Sequence, residues 1–523
     1  MRRRASFKND VKGKLHIRHL LVALFVIPAL YLNFVIYQAG GAWVALAILI
    51  VIGLGAFIYL SESAYTFRYL FPGLLGFGLF VIFPIAYMVF LSFTKYSSQN
   101  LLTFERSLQL LLQETIPVST AAYKYKLYAQ EDGRYILYVE NDKDTTKRFE
   151  SEPFDLKPGE QTKAKSEPVK LSSLPPGKEV IGKPLEMGQI TREKLFMPMR
   201  SIQFTLPDDT LIAMEGLTKF GSRERLWTLS ADGSLTNKKD GTVVRPDLKE
   251  GFFVNEKGEK VGVGFRTFSG LDNYIQIFTD PRIQGPFLRI FVWTVTFSAL
   301  SVILTFGAGM LLAVILQRED LGFRRVYRTL LILPYAVPAI LSILILKGTF
   351  NQDFGAANQI LRGLFGFAPE WETNPWAART MVLLVNLWLG YPYMMLICMG
   401  MLQSIPAAIY EASAIDGSNR LLDFFHITLP LVLTPMVPIL ISSFAFNFNN
   451  FNLIYLLTGG GPRMVGGGIA GETDLLVNYT FNIAFRDTGT NYGLASAIAT
   501  VLFFIVGFLS WINLRLTARK VKI

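Results

Sequence analysis

Eight stretches of this chain are long and apolar enough to cross a lipid bilayer, and they constrain its fold more than any other feature. They are His19–Tyr37, Ala42–Leu60, Tyr69–Phe93, Ile290–Leu316, Leu330–Leu346, Thr380–Leu402, Leu431–Leu457 and Tyr492–Leu514. A helix needs about 20 mostly apolar residues to span the hydrocarbon core. Inside lipid every backbone N–H and C=O must be satisfied internally, so these stretches are expected as helices. The fold class read from them is an all-α polytopic membrane protein. Only 17% of the 523 residues are charged, against roughly 25% in soluble domains. The first stretch is too long for the apolar part of a signal peptide, and a second span follows at once, so it reads as an uncleaved anchor.

Lysine and arginine orient the spans. The N-terminus carries Arg2, Arg3, Arg4, Lys8, Lys12, Lys14 and Arg18, whereas the turn Gln38–Gly41 has none. The loop with Arg318, Arg324, Arg325 and Arg328 is basic, as is the tail with Arg515, Arg519, Lys520 and Lys522. Eight spans with both termini inside put all three basic regions in the cytoplasm. The net charge of +11 is thus spread beside apolar runs. It is not gathered with aromatics on one face, so nucleic acid is not an expected partner. The three histidines, His16, His19 and His426, do not cluster with carboxylates, so no metal site is expected. The one cysteine, Cys398, lies in an apolar run and reads as a small packing residue.

The expected division is residues 1–93 (N-terminal segment and three spans), 94–289 (external insertion) and 290–523 (core of five spans). The insertion is polar and rich in turn signals. Tyr123–Gln130 and Arg134–Glu140 flank Asp132-Gly133, and Arg225–Ser230 and Ser234–Asn237 flank Asp232-Gly233. Such pairs are hairpin signals. Ile202–Leu206 and Thr210–Met214 are separated by Pro207-Asp208-Asp209. A small β-rich domain, a sandwich by this reading, is expected there, serving as a spacer or as a binding platform.

Inside the membrane the chain is polar without being charged. No Asp, Glu, Lys or Arg lies within Leu330–Leu346, Met381–Leu402 or Leu431–Leu457. Proton-coupled carriers place carboxylates in such spans as relays. Instead Ser443, Phe446, Asn447 and Asn450 stand at i, i+3, i+4 and i+7, one helical face that leaves Asn449 and Asn452 off it. Asn386, Leu389, Gly390 and Tyr393 repeat the spacing one span earlier. Amides offer both donors and acceptors to sugar hydroxyls, and a ring offers a flat face to the C–H side of a pyranose. Gly390 would let a ligand approach the backbone. Two opposed faces could hold an uncharged polyol, or the asparagines could be hydrogen-bonded glue between helices. The residues alone leave these readings even.

The most specific pattern lies in 403–430. Glu411-Ala412-Ser413, three residues ending at Asp416, Gly417, nine residues, then Ile427-Thr428-Leu429-Pro430 resembles the EAA loop of ABC importer permeases. Only Ser413 departs from that pattern. Pro406 suits a helix's first turn, and Gly417 can end that helix in the left-handed region. Ser418 can cap a second helix that stops before Pro430. With that loop read, the chain resembles the MalF family, the larger permease subunits of bacterial maltose ABC importers. The resemblance is carried by Arg328–Gly355, Arg379–Met395, Ser442–Phe451, Thr473–Phe485, Leu102–Arg106 and the large insertion after the third span.

The resemblance implies a type I ABC importer permease fold with an immunoglobulin-like periplasmic insertion. It also implies an inner-membrane location and partners: a MalG-like second permease, a MalK-like ATPase dimer and a periplasmic maltose-binding protein. The cargo would be maltose and maltodextrins. Family sugar contacts fall on Asn386, Leu389, Gly390, Tyr393, Ser443, Phe446, Asn447 and Asn450. Coupling to the ATPase falls on Glu411, Ala412, Ser413, Asp416, Gly417, Ile427, Leu429 and Pro430. ATP and Mg would bind the ATPase, and this chain would hold no cofactor and catalyse nothing. Gly466–Thr473 nearly spells a phosphate-binding loop, but Glu472 stands where the lysine would be; it reads as a flexible external loop. Other readings are a permease of this class for another sugar or polyol, a stand-alone carrier or channel, and a membrane-anchored enzyme.

Overall fold

The structure, a computed structural model, describes residues 2–520 apart from 157–167, 176, 179, 319–320 and 488–489; side chains of 2–18, 43, 119–120 and 516–520 are likewise left undescribed. Of the basic residues used for orientation, Lys522 lies outside the described residues. Six helices among them are long and apolar enough to cross a membrane: His19–Gln38, Phe67–Ser92, Pro281–Gln317, Pro375–Gln403, Arg420–Phe448 and Tyr492–Arg515. The second expected span is a shorter apolar helix, Ala42–Leu60.

The span expected at Leu330–Leu346 is not one helix. Arg324–Ala336 and Ala339–Thr349 meet at a bend of 95°. Pro338 is the cause. A residue before proline is pushed out of the helical region, and Val337 sits at φ −88, ψ 131, with Pro338 capping the next helix. The span expected at Leu431–Leu457 also breaks. Its first helix ends at Phe448 and a short one, Phe451–Leu457, follows.

The core of the helical body is the pair Pro281–Gln317 and Pro375–Gln403, which approach closely because small residues face across. A Cβ on Gly309 would stand 2.7 Å from the Met395 backbone nitrogen, and one on Gly390 would stand 2.8 Å from Thr305 Cγ2. Thr305 and Gly309 are four residues apart on one face, the spacing by which small residues bring membrane helices together. Cys398 is buried beside Met436, sulfur to sulfur 3.7 Å, as packing.

The insertion is joined to this body by a neck. Thr94–Lys95 pairs antiparallel with Thr267–Phe268. The Asn273 amide donates to Ser92 O and Thr94 O at 2.8 and 2.9 Å, and Gly493 N–H at the start of the last helix donates to Tyr96 O at 2.9 Å. Beyond the neck the strands are β1 (Thr115–Ala129), β2 (Tyr135–Asn141), β3 (Arg148–Ser151), β4 (Val169–Ser173), β5 (Lys183–Leu185), β6 (Phe204–Thr205), β7 (Leu211–Glu215) and β8 (Lys219–Arg225). Their pairing runs β2-β3-β4-β6-β7-β8-β1, and β1 pairs back onto β2, with β5 alongside β1. The ring is closed, a barrel, where a two-sheet immunoglobulin-like sandwich was expected. A register shift between Pro117 and Ala122 lets the long strand β1 bend to serve both neighbours. Closure removes exposed strand edges, and Leu127, Leu137, Val139, Phe154, Phe204 and Phe220 fill the interior. A five-stranded meander, β9 (Trp227–Leu229), β10 (Leu235–Asn237), β11 (Val243–Asp247), β12 (Phe252–Asn255) and β13 (Lys260–Val261), returns the chain to the neck. The hairpins at Asp132-Gly133 and Asp232-Gly233 form as the turn chemistry requires, with Gly133 at φ 82 and Gly233 at φ 81.

Candidate functional site

A cavity of ≈ 940 Å³ opens where the two interrupted helices meet the Pro375–Gln403 helix. That is the upper end of the range for small-molecule sites. All eight residues on the two expected faces line it: Asn386, Leu389, Gly390, Tyr393, Ser443, Phe446, Asn447 and Asn450. Sequence reasoning missed the third wall, Pro334 to Ala339 at the 95° bend. There Tyr335 stacks on Tyr393 with ring centroids 6.4 Å apart. The proline that makes the wall was readable; the direction of the bend was not.

The reasons for two placements differ from those expected. Asn450 does not sit at i+7 of one continuous helix. The helix ends at Phe448, and the Asn450 side-chain oxygen accepts from Leu453 N–H to cap the next one. Asn452, expected off the face, lines the cavity because the break reorients the chain there. Asn449 does stay out of it, its amide donating to Ala445 O at 3.4 Å. Gly390 lines the cavity, but its missing side chain serves the approach of Thr305 as well.

The asparagines bond to one another. Asn386 Nδ2 donates to Asn447 Oδ1 at 2.9 Å, Asn450 Nδ2 donates to Asn386 Oδ1 at 3.3 Å, and Asn447 Nδ2 donates to Ser443 O at 2.9 Å. Asn386 and Asn447 are 6% and 5% exposed. An amide can donate twice and accept twice, so each keeps capacity beyond these bonds. Beside them the Phe446 ring is 71% exposed on the cavity wall. The arrangement offers a flat apolar face next to fixed amides, and no ionisable group lines it among the described residues except the tyrosine hydroxyls.

The 403–430 segment folds as two short helices joined at a glycine. Ala407–Ile415 ends at Asp416, and Gly417 takes φ 79. The cap of the next helix is Asn419, whose side chain accepts from Leu421 and Leu422 N–H. The expected cap, Ser418, instead donates to Asp423 Oδ1 at 2.6 Å, and so does Ser413 at 2.6 Å. The one departure from the EAA pattern is thus a hydroxyl that ties the two helices. The second helix does not stop before Pro430. Phe424–Thr428 widens to a π turn and the helix continues through Leu429 and Pro430 into the membrane span. A widened turn accommodates a proline whose ring and missing N–H would otherwise break the ladder. Ile427 and Leu429 lie on this continuous segment.

Residues 102–270 match the family described as Maltose transport system permease protein MalF P2 domain, and residues 305–522 match Binding-protein-dependent transport system inner membrane component. Maltose/maltodextrin transport system permease protein MalF of Vibrio cholerae is 45% identical over 498 residues, 93% of this chain and 92% of that one. The Escherichia coli K12 protein of the same name is 44% identical over 498 residues, 94% of each chain. The chain belongs to the MalF family. Its helical body is the type I ABC permease fold carrying an inserted β-rich domain. Among solved structures, a bacterial alginate ABC transporter in complex with an alginate pentasaccharide-bound periplasmic protein aligns at 20% identity, covering 48% of this chain and 83% of that one, with a TM-score of 0.41.

One further element of this MalF-family chain departs from expectation. The Gly-rich segment read as flexible is tied down. Arg379 donates through Nε to Glu472 O at 3.0 Å and pairs with Glu472 Oε2 at 2.8 Å, its guanidinium over the Trp293 ring. Asp474 is buried beneath, with Oδ2 accepting from Gly471 N–H at 2.9 Å and from Asn482 Nδ2 at 3.3 Å. Gly460 lies against that carboxylate at φ 91, where a side chain would collide with it. Burial pushes the Asp474 carboxyl up to about 6, against the opposing pull of the Gly471 bond, Arg463, Arg486 and Asn482.

Proposed function

We infer that this chain is the transmembrane permease subunit of an ATP-driven importer that carries maltose and maltodextrins from periplasm to cytoplasm. The observation that carries the reading is the cavity: a half-open phenylalanine ring beside buried, partly uncommitted amides, in a protein of the MalF family. Asn386, Leu389, Gly390, Tyr393, Ser443, Phe446, Asn447 and Asn450 contact the sugar in this reading. Neutral hydrogen-bonding groups suit an uncharged cargo, since buried charges would need partners the sugar lacks.

Counting the 95° pair as one crossing and Ala42–Leu60 as another gives eight spans with the six long helices. Both termini then lie in the cytoplasm and the barrel faces the periplasm, where it meets the maltose-binding protein. The two-helix knob from Glu411 through Asp416, Gly417 and on to Pro430 seats in a MalK-like ATPase dimer that binds ATP and Mg, and a MalG-like chain completes the pathway. This chain contributes no bond chemistry.

Reconstitution tests the reading. The chain would be co-expressed with its second permease and ATPase, placed in proteoliposomes, and assayed for maltose uptake and maltose-stimulated ATP hydrolysis with the binding protein outside. Uptake without any ATPase subunit would discard it in favour of a stand-alone carrier.

A further inference from the structure

We propose that the start of the helix Arg324–Ala336 binds the phosphate headgroup of an anionic phospholipid. The proposal rests on the orientation given above, which puts this end of the helix at the cytoplasmic leaflet. Arg324, Arg325 and Arg328 share one face of its first turns, at i, i+1 and i+4. The first turn holds no carboxylate, and none of the three guanidinium groups makes an ion pair or hydrogen bond with a described residue. Glu319 and Asp320, the nearest carboxylates in sequence, lie outside the described residues.

This helix start works against its own electrostatics. Like charges at i, i+4 repel. The N-terminal end of a helix already carries positive partial charge, which disfavours cations and favours anions. Arg328 adds an independent sign: its Nε is buried and has no hydrogen-bond partner. A buried donor without an acceptor is costly, and a phosphate oxygen beside it removes that cost. One turn further on, Leu331 packs on the cluster that includes Met395, Cys398 and Leu402, and its carbonyl accepts from Tyr391 OH at 3.0 Å. Arg328 therefore stands at the mouth of the groove between this helix and Pro375–Gln403.

The flank of the helix decides what brings the phosphate. Val326, Leu330 and Leu333, at i, i+4 and i+7, are apolar and exposed. That stripe suits the acyl chains of a lipid whose headgroup sits at the arginines, and a soluble anion would gain nothing from it. Arginine grips phosphate through a planar fork of N–H groups. Basic pockets between membrane helices on the cytoplasmic side recognise lipid headgroups by this chemistry.

The test uses the complex of this chain with its second permease and ATPase, in phosphatidylcholine vesicles. These carry a photoreactive phosphatidylglycerol or a photoreactive phosphatidylcholine with the same chains, and adducts are mapped by peptide mass spectrometry. The segment 322–333 is expected to take the phosphatidylglycerol probe several-fold more than the phosphatidylcholine probe. Arg328→Gln should lower that preference about fivefold, the share of one basic group near an anionic surface, with adducts on the other spans unchanged. Arg328→Gln combined with Gly322→Arg keeps the charge of the loop and should lower it as much. Recovery in that pair overturns the proposal, because general surface charge would then suffice. Equal adducts from both probes overturn it, as does their absence because the ATPase or second permease covers the segment. Loss of the preference in millimolar inorganic phosphate would make this a site for a soluble anion and overturns it as well. Gly322→Cys in the Cys398→Ser chain reports the side of the membrane. Labelling from outside removes the orientation, whereas labelling from the cytoplasmic side without lipid preference removes the site alone.

Discussion

The Asn386 side-chain amide donates to Asn447 Oδ1 across 2.9 Å and joins the two helices that wall the cavity. The pair is therefore both glue between spans and lining of the proposed site. Replacing one partner leaves the bonded atom of the other buried without its hydrogen bond, although Asn447 keeps its bond to Ser443 O and Asn386 its bond from Asn450; a stranded polar atom costs on the order of 1–3 kcal/mol. Asn386→Leu and Asn447→Leu are each expected to lower the Tm of the purified complex. The double variant should lose less than the sum of the two, because neither amide is then stranded. Additive losses would mean that the pair is not coupled.

Phe446 and Asn449 are three residues apart with opposite fates. Phe446→Ala removes the open ring on the cavity wall and is expected to cut maltose uptake at least tenfold while the complex still assembles. Asn449→Ala removes only a local bond to Ala445 O and should leave uptake within about twofold. Transport assays on both variants with matched membrane expression check this, and the reverse ranking would show that the sugar does not lie on this face.

Gly417 at φ 79 occupies the left-handed region, which β-branched residues avoid. Gly417→Val is expected to tilt the helix Ala407–Ile415 against the continuous segment that follows. Maltose-stimulated ATP hydrolysis should drop several-fold with the chain still inserted. Ser413→Ala removes one of two hydroxyls on Asp423 and should weaken coupling much less. Stimulated hydrolysis unaffected by Gly417→Val would dissociate the knob from the ATPase.

Asp474 gives a pH signature. Its folded carboxyl is raised to about 6 by burial, above the unfolded value near 3.8. The folded state therefore binds the proton more tightly. The contribution is fully present below about pH 3.8 and is lost as pH rises through about 6, a swing of about 3 kcal/mol. The Tm of the native complex should fall between pH 5 and 7.5 more steeply than that of Asp474→Asn. Parallel pH profiles for the two would mean that this carboxyl is already charged at pH 5.

Much of the helical body was legible because an apolar run of twenty residues has few alternatives in lipid. The cavity residues were legible as well, through the spacing of Ser443, Phe446 and Asn447 and of Asn386 and Tyr393. What was not legible were the breaks. Val337-Pro338 and Asn449-Asn450 interrupt runs whose hydropathy is continuous, so hydropathy carried no sign of them, and Pro338 marked a break without its direction. Asn452 was misplaced for that reason. Closure of the barrel was hidden for another: β1 bends at a register shift to pair with both β2 and β8, a long-range choice that local hairpin signals cannot encode. The role of Glu472 was hidden because its partner Arg379 lies 93 residues away.

The neck at Thr94–Lys95 and Thr267–Phe268 makes the insertion a graft with a single point of attachment. The chain leaves the helical body and returns to it across one pair of strands, so the two ends of the insertion are held side by side. Whatever stands beyond it can be lengthened, exchanged or trimmed back without stretching the permease, because the ends that must meet are already side by side. An insertion with such ends is free to diverge while the helical body is held by its own packing.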